Sequence, residues 1–246
     1  MITTEQQNDI ARGNTGSEQT FSIKATAKSF SILSSGLYSD KILAIVRELC
    51  CNAYDAHVAA GKVGVPIEVK LPTMLDPTFY VKDFGTGLSH EQICSLYTTY
   101  FESTKSDSND FIGALGLGSK SPFSYVSTFI VESRYNGTKR VYSCFINEQG
   151  LPSIALLGAE VCDEPNGLTI QLSAKKDDNY KFLTAARKAL MYFNPMPSVV
   201  GCEYFEPFVY KHTVEGTNWK LRINESGASM SGPQVVQGFV AYPIDG

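Results

Sequence analysis

Between Asp40 and Gly61 runs the longest helical stretch of the chain, and its composition dictates burial. Ser39-Asp40 supplies N-cap chemistry, the helix reads through Ala60, and Gly61 stops it. Ile42, Val46, Leu49 and Ala53 make an apolar side that needs other elements packed over it. On the remaining side Glu48, Asn52 and Asp55 fall at i, i+4 and i+7, within roughly 60° of one another at 3.6 residues per turn. A solvated helix face would account for this stripe. So would a polar site set into a helix built for burial.

The rest of the chain reads as sheet with further helices. Strand-like runs fall at residues 21–25, 67–71, 79–81, 128–133, 139–146, 153–157 and 168–172, the last four bounded by Gly, Asn or Pro. Neighbouring runs are expected to pair. Helices are expected at residues 92–100 and 179–193, the second ended by Asn194-Pro195. Residues 1–20 are rich in Gln, Asn, Thr and Gly without periodicity, as in a flexible arm that orders on a partner. Residues 201–246 return to short strands, as a β extension or the start of a second domain. The halt at Gly246, directly after the apolar run 239–242, has the look of a cut into a longer protein.

With 246 residues, 43% hydrophobic and 19% charged, the chain can bury one large core or a core with a smaller annexe. A formal net charge of −4 speaks against a broad basic surface, so nonspecific nucleic-acid binding is not expected. No apolar run approaches the ~20 residues of a membrane span, and residues 1–20 hold no signal-peptide core, which makes the cytoplasm the expected location. The six cysteines lack C-x-x-C spacing and nearby histidines, so they read as reduced, packed thiols.

Two glycine-rich turns follow the long helix. Asp83-Phe84-Gly85-Thr86-Gly87 ends a strand, where a carboxylate can face inward while Gly85 and Gly87 let the backbone turn tightly beside a planar ligand. An acceptor-only carboxylate suits the exocyclic amino group of adenine. Asp and Gly are equally the residues of any tight turn. In Gly113-Ala114-Leu115-Gly116-Leu117-Gly118-Ser119-Lys120-Ser121, bare amides precede a segment able to begin a helix before Pro122. That makes an anion site to which Ser119 or Lys120 would add donors. The Walker pattern fails because Ser119 stands where its lysine belongs, and the dinucleotide fingerprint fails at Ser121. Residues 101–109 carry few apolar anchors and read as a mobile loop.

In this order, E-x-x-x-N-A-x-D-A, D-x-G-x-G and G-x-x-G-x-G resemble the GHKL ATPase superfamily, which includes gyrase B, Hsp90, MutL and the sensor histidine kinases. The resemblance implies a Bergerat-type ATP-binding fold over residues 21–200, an α/β (α+β sandwich) architecture with a mixed, largely antiparallel sheet and helices on one face. It implies ATP or ADP with Mg2+ as cofactors. Carried over by motif, the metal falls to Asn52, the catalytic, water-orienting role to Glu48 and adenine reading to Asp83, with Gly85 and Gly87 beside it. Gly113, Gly116 and Gly118, with Ser119 and Lys120, would hinge the lid and meet phosphate, and Asp55 would support the adenine or the metal's waters. Lys105 resembles a lid lysine that meets a phosphate on closure; a solvated loop lysine fits it as well.

A closer likeness, to the rIIA lysis-inhibitor proteins of large tailed bacteriophages, rests on residues 100–113, 117–125, 30–38 and Tyr242-Pro243-Ile244. That family is longer than this chain and is associated with protecting an infected cell from prophage-triggered early lysis. One departure concerns the superfamily's Gly-Thr pair, whose threonine supports the aspartate or the adenine. Here the place reads Gly167-Leu168-Thr169, and strand alternation turns Thr169 the other way, so adenine reading is expected to lean on Asp83, water and Thr86. The expected function is a slow ATPase whose lid closure switches a homodimer, or an interface with a phage or host protein. The alternative is a nucleotide-gated interaction protein without turnover; Glu48 favours the first. A histidine kinase fits poorly, since only a polar arm precedes the domain. Peripheral membrane association through a partner stays open.

Overall fold

The computed structural model describes residues 26–36, 38–99, 118–208, 212–217, 220–223, 234–237 and 239–243. The expected strand at 21–25, the loop 101–109 with Lys105, and Gly113 and Gly116 lie outside them. Helix α1 (Ala27–Ser35) opens on a capping box in which Thr26 and Ser29 bond reciprocally. Helix α2 (Lys41–Ala59) starts where Asp40 Oδ1 accepts the Leu43 N–H at 3.0 Å and ends before Gly61, whose φ is +68°. After β1 (Glu68–Lys70) and β2 (Thr78–Lys82), α3 (His90–Thr98) is capped by Ser89 paired with Gln92. A 3-10 helix (Gly118–Ser124) runs through Pro122, whose carbonyl accepts from the N–H groups of Tyr125 and Val126.

Strands β3 (Thr128–Tyr135), β4 (Thr138–Ile146), β5 (Pro152–Val161) and β6 (Gly167–Ser173) follow, then α4 (Asn179–Leu190) and β7 (Ser198–Val200). They form one seven-stranded sheet in the order β5-β4-β3-β6-β2-β1-β7, antiparallel at every pairing except β1 with β7. β1 with β2, β3 with β4 and β4 with β5 pair as neighbours in sequence, whereas β6 inserts between β2 and β3 and β7 closes on β1. Register explains the fit. Val69, Val81, Ile170, Val131 and Tyr142 lie side by side across five strands, and all are buried on one face. Over that face pack α4, through Phe182 against Phe79 at 4.8 Å between ring centroids, and α3, through Tyr97 near Phe129 at 6.3 Å. Ile45, Val46 and Leu49 of α2 belong to the same core.

Beyond the sheet come two hairpins, β8 (His212–Glu215) with β9 (Lys220–Ile223) and β10 (Gln234–Gln237) with β11 (Val240–Pro243). The second is docked: Phe239 meets Tyr54 of α2 and Phe193 at 4.6 Å each. Among the described residues no helix is long and apolar enough to cross a membrane.

Candidate functional site

Glu48, Asn52 and Asp55 stand on one side of α2 as their spacing requires. Asp55 is fully buried, whereas Glu48, with its side chain 25% exposed, and Asn52 are half-buried, so the stripe is sunk at its C-terminal end and partly open at the other. Gly118 lies directly against the stripe: a Cβ there would come 2.9 Å from Glu48 Oε2 and 3.2 Å from Asn52 Nδ2. A side chain at this position would compete with Glu48 and Asn52 for space, and no special φ is involved. Its bare Cα thus packs against a carboxylate and a carboxamide. The other carboxylate oxygen, Glu48 Oε1, accepts from Arg47 Nη2 at 2.8 Å and from Nε at 3.3 Å, which fixes its direction. Tyr38 lies close enough that burial, and then the Glu48 charge, raises its phenol pKa. A cleft of about 230 Å3 lined by Tyr38, Ser39, Asp40, Leu43, Ala44 and Arg47 opens at the start of α2.

The turn after β2 is held from every direction. Asp83 is buried, and its Oδ1 accepts the Gly85 N–H at 2.8 Å. Its own N–H donates to the Leu168 carbonyl at 2.9 Å, and its carbonyl accepts from Arg134 Nη2 at 3.1 Å. The Phe84 N–H donates to His57 Nε2 at 2.8 Å, and the Phe84 carbonyl accepts from Lys62 Nζ at 2.7 Å. Gly85 passes so near α2 that a Cβ would sit 2.6 Å from the Ala56 carbonyl oxygen. Gly87 has φ +65°, and a Cβ on it would run into the Arg134 carbonyl oxygen. Leu88 completes the anchorage, its N–H reaching Ser133 Oγ at 3.2 Å while that hydroxyl donates to the Leu88 carbonyl at 2.6 Å.

Three of these anchors, His57, Lys62 and Arg134, escaped sequence reasoning. A lone histidine near a helix end and a lysine after it carry no spacing signal. Arg134 carried a faint one, since Glu132 two residues earlier shares its strand face; the guanidinium is buried and its Nη1 donates to Glu132 Oε1 at 2.8 Å and Thr169 Oγ1 at 3.0 Å. The Gly-Thr departure takes physical form here. Thr169 pairs across the sheet with Lys82 and Glu132, one position short of Asp83, and reaches the Asp83 backbone only through Arg134. Thr86 is exposed.

In the third segment, Ser119 is half-buried, whereas Lys120 is buried with Nζ donating to the Leu96 carbonyl of α3 at 2.6 Å. No trio of His, Cys, Asp or Glu among the described residues is arranged to hold a metal. A divalent ion beside Asn52 would therefore take one neutral protein oxygen and complete its shell with phosphate and water. Magnesium accepts that donor set.

Against known protein families, residues 41–153 match the model of the histidine kinase-, DNA gyrase B- and HSP90-like ATPases. The matched span runs from the first residue of α2 into β5 and holds the helix stripe and both turns. No curated protein matches the chain. The mixed, mostly antiparallel sheet with its helices is the fold expected of that superfamily.

Proposed function

Because residues 41–153 match the model of the histidine kinase-, DNA gyrase B- and HSP90-like ATPases, we propose that the chain binds ATP with Mg2+ between α2 and the two turns and hydrolyses it slowly. One observation carries the reading: Gly118 lies bare against both Glu48 and Asn52, so the third glycine segment and the polar stripe meet at one place. Asp83 accepts from the adenine amino group. Asn52 holds the metal, whose charge would offset the negative charge developing on the terminal phosphate. Glu48, one turn earlier, orients the attacking water and takes its proton as the bond to the departing ADP breaks. Asp55 supports this face from within. Ser119, Lys120 and Lys105, with Gly113 and Gly116, belong to the lid; Lys120 would exchange the Leu96 carbonyl for a phosphate.

The grip of Arg47 on Glu48 favours a second reading, in which ATP is bound and not split and only switches an interface. Turnover decides between them. Glu48→Ala is expected to keep ATP affinity within a few-fold while lowering turnover by roughly a hundredfold, the range of a positioned acid-base group. Asn52→Ala should weaken magnesium-ATP binding, and Asp83→Asn should cost about 1.5 to 3 kcal/mol, or roughly ten- to a hundredfold in affinity. A parent that binds ATP yet releases no phosphate above a metal-free blank replaces the enzyme by the switch. We further propose that lid closure acts on a homodimer or on a phage or host partner, in the rIIA-like role of protecting an infected cell from prophage-triggered lysis. Infection of a lysogen with a phage lacking this chain, rescued by the parent and not by Asn52→Ala, tests that role.

A further inference from the structure

His57 is fully buried at the C-terminal end of α2, and both of its ring nitrogens are engaged. Nδ1 meets the Val65 carbonyl at 2.9 Å, so it must carry the proton. Nε2 receives the Phe84 N–H at 2.8 Å, so it must not. The geometry thus admits one form of the ring, neutral with the proton on Nδ1. A second proton on Nε2 would set one N–H against another and leave the Phe84 amide without its acceptor. Phe84 is the residue between Asp83 and Gly85, whose hydrogen bond shapes the turn.

We propose that neutral His57 is a positioning residue for the nucleotide, fixing the Asp83 turn against α2, and that affinity for ATP falls when the ring is protonated. The inference rests on the reading of Asp83 as the adenine acceptor. The groups on the imidazole and on its Phe84 partner come from three elements. Lys62, in the segment after α2, contributes positive charge and itself holds the Phe84 carbonyl. Within the turn, the Phe84 ring lies 6.1 Å away between centroids, and Asp83 directs Oδ1 to Gly85. From β2, Lys82 sits over the Phe84 ring at 5.5 Å. Burial first, with Lys62 adding to it against the opposing Val65 bond, lowers the pKa from the ordinary histidine value, so the ring is neutral at neutral pH.

The test is calorimetric titration of the whole chain with ATP from about pH 8 down to about pH 5, the span in which histidines titrate. The terminal phosphate of ATP titrates in the same span, so the readout is the difference between the parent and His57→Gln, whose carboxamide offers one donor and one acceptor without titrating. The parent should lose roughly tenfold more affinity than His57→Gln over this span, following loss of one hydrogen bond to a buried group. His57→Leu should bind weakly at every pH, with thermal unfolding confirming that it is folded. Parallel profiles for the parent and His57→Gln overturn the proposal, as does a folded His57→Leu that binds like the parent. Should His57→Leu not fold, the comparison with His57→Gln stands alone. A parent that binds neither ATP nor ADP at about pH 8 defeats the nucleotide reading itself, a different outcome from parallel but measurable profiles.

Discussion

Putting a methyl group on Gly118 is the smallest change that reaches the proposed chemistry. Its new neighbours would be the ends of two side chains, Glu48 Oε2 and Asn52 Nδ2, which can rotate away. Stability should therefore shift by no more than about 1 kcal/mol, while displacement of the carboxylate lowers turnover at least roughly tenfold. Thermal unfolding and phosphate release measured side by side check this; intact turnover in Gly118→Ala would separate Glu48 from hydrolysis. The stripe itself was legible in the sequence because helical periodicity fixes which residues share a side. The grip on the Asp83 turn was not. His57, Lys62 and Arg134 act on backbone atoms of Phe84 and Asp83, and a backbone atom leaves no mark in residue identity.

Among the elements, the turn after β2 shows what glycine is for. Gly87→Ala meets two costs together, a positive φ and the backbone of Arg134, and should destabilise the fold by about 3 kcal/mol or more. Gly137, at the turn between β3 and β4, has φ +74° but nothing within 4 Å of a Cβ. Gly137→Ala should thus cost only the conformational part, about 1 kcal/mol. Urea unfolding of the two variants measures the difference; equal losses would mean that the contact with β3 contributes nothing. Strand cores were legible from alternation, and their ends less so. β5 runs on to Val161, past the apolar run, because its ladder with β4 continues through Gly158, Ala159 and Glu160. Helix α1 went unseen in the sequence because its start lies in the Thr26–Ser29 capping box and not in an apolar stripe.

On the scale of the molecule, the sheet and its helices enclose three of the six free cysteines, Cys50, Cys51 and Cys144. Burial pushes the Cys144 thiol up to about 12, against the opposing charge of Lys120, and raises Cys50 as well. An unfolded chain releases these protons near the ordinary thiol value, so stability is full below about pH 8.5 and declines as pH rises beyond it. Alkylation of the folded chain should accordingly modify the half-buried Cys94, Cys162 and Cys202 first, and a Cys144 that reacts as fast as Cys162 would contradict the enclosure. The helix stripe, the turns and most strands could be read locally, but the place of β6 between β2 and β3 could not, since it depends on matching registers from distant parts of the chain. That placement also sets a timetable. A ribosome delivers β2 and β3 well before β6, so for that interval both strands wait with open edges, and the Asp83 N–H has no Leu168 carbonyl to meet. A nascent chain paused at Val161 would already hold all three motifs and still lack the strand that fixes the Asp83 turn.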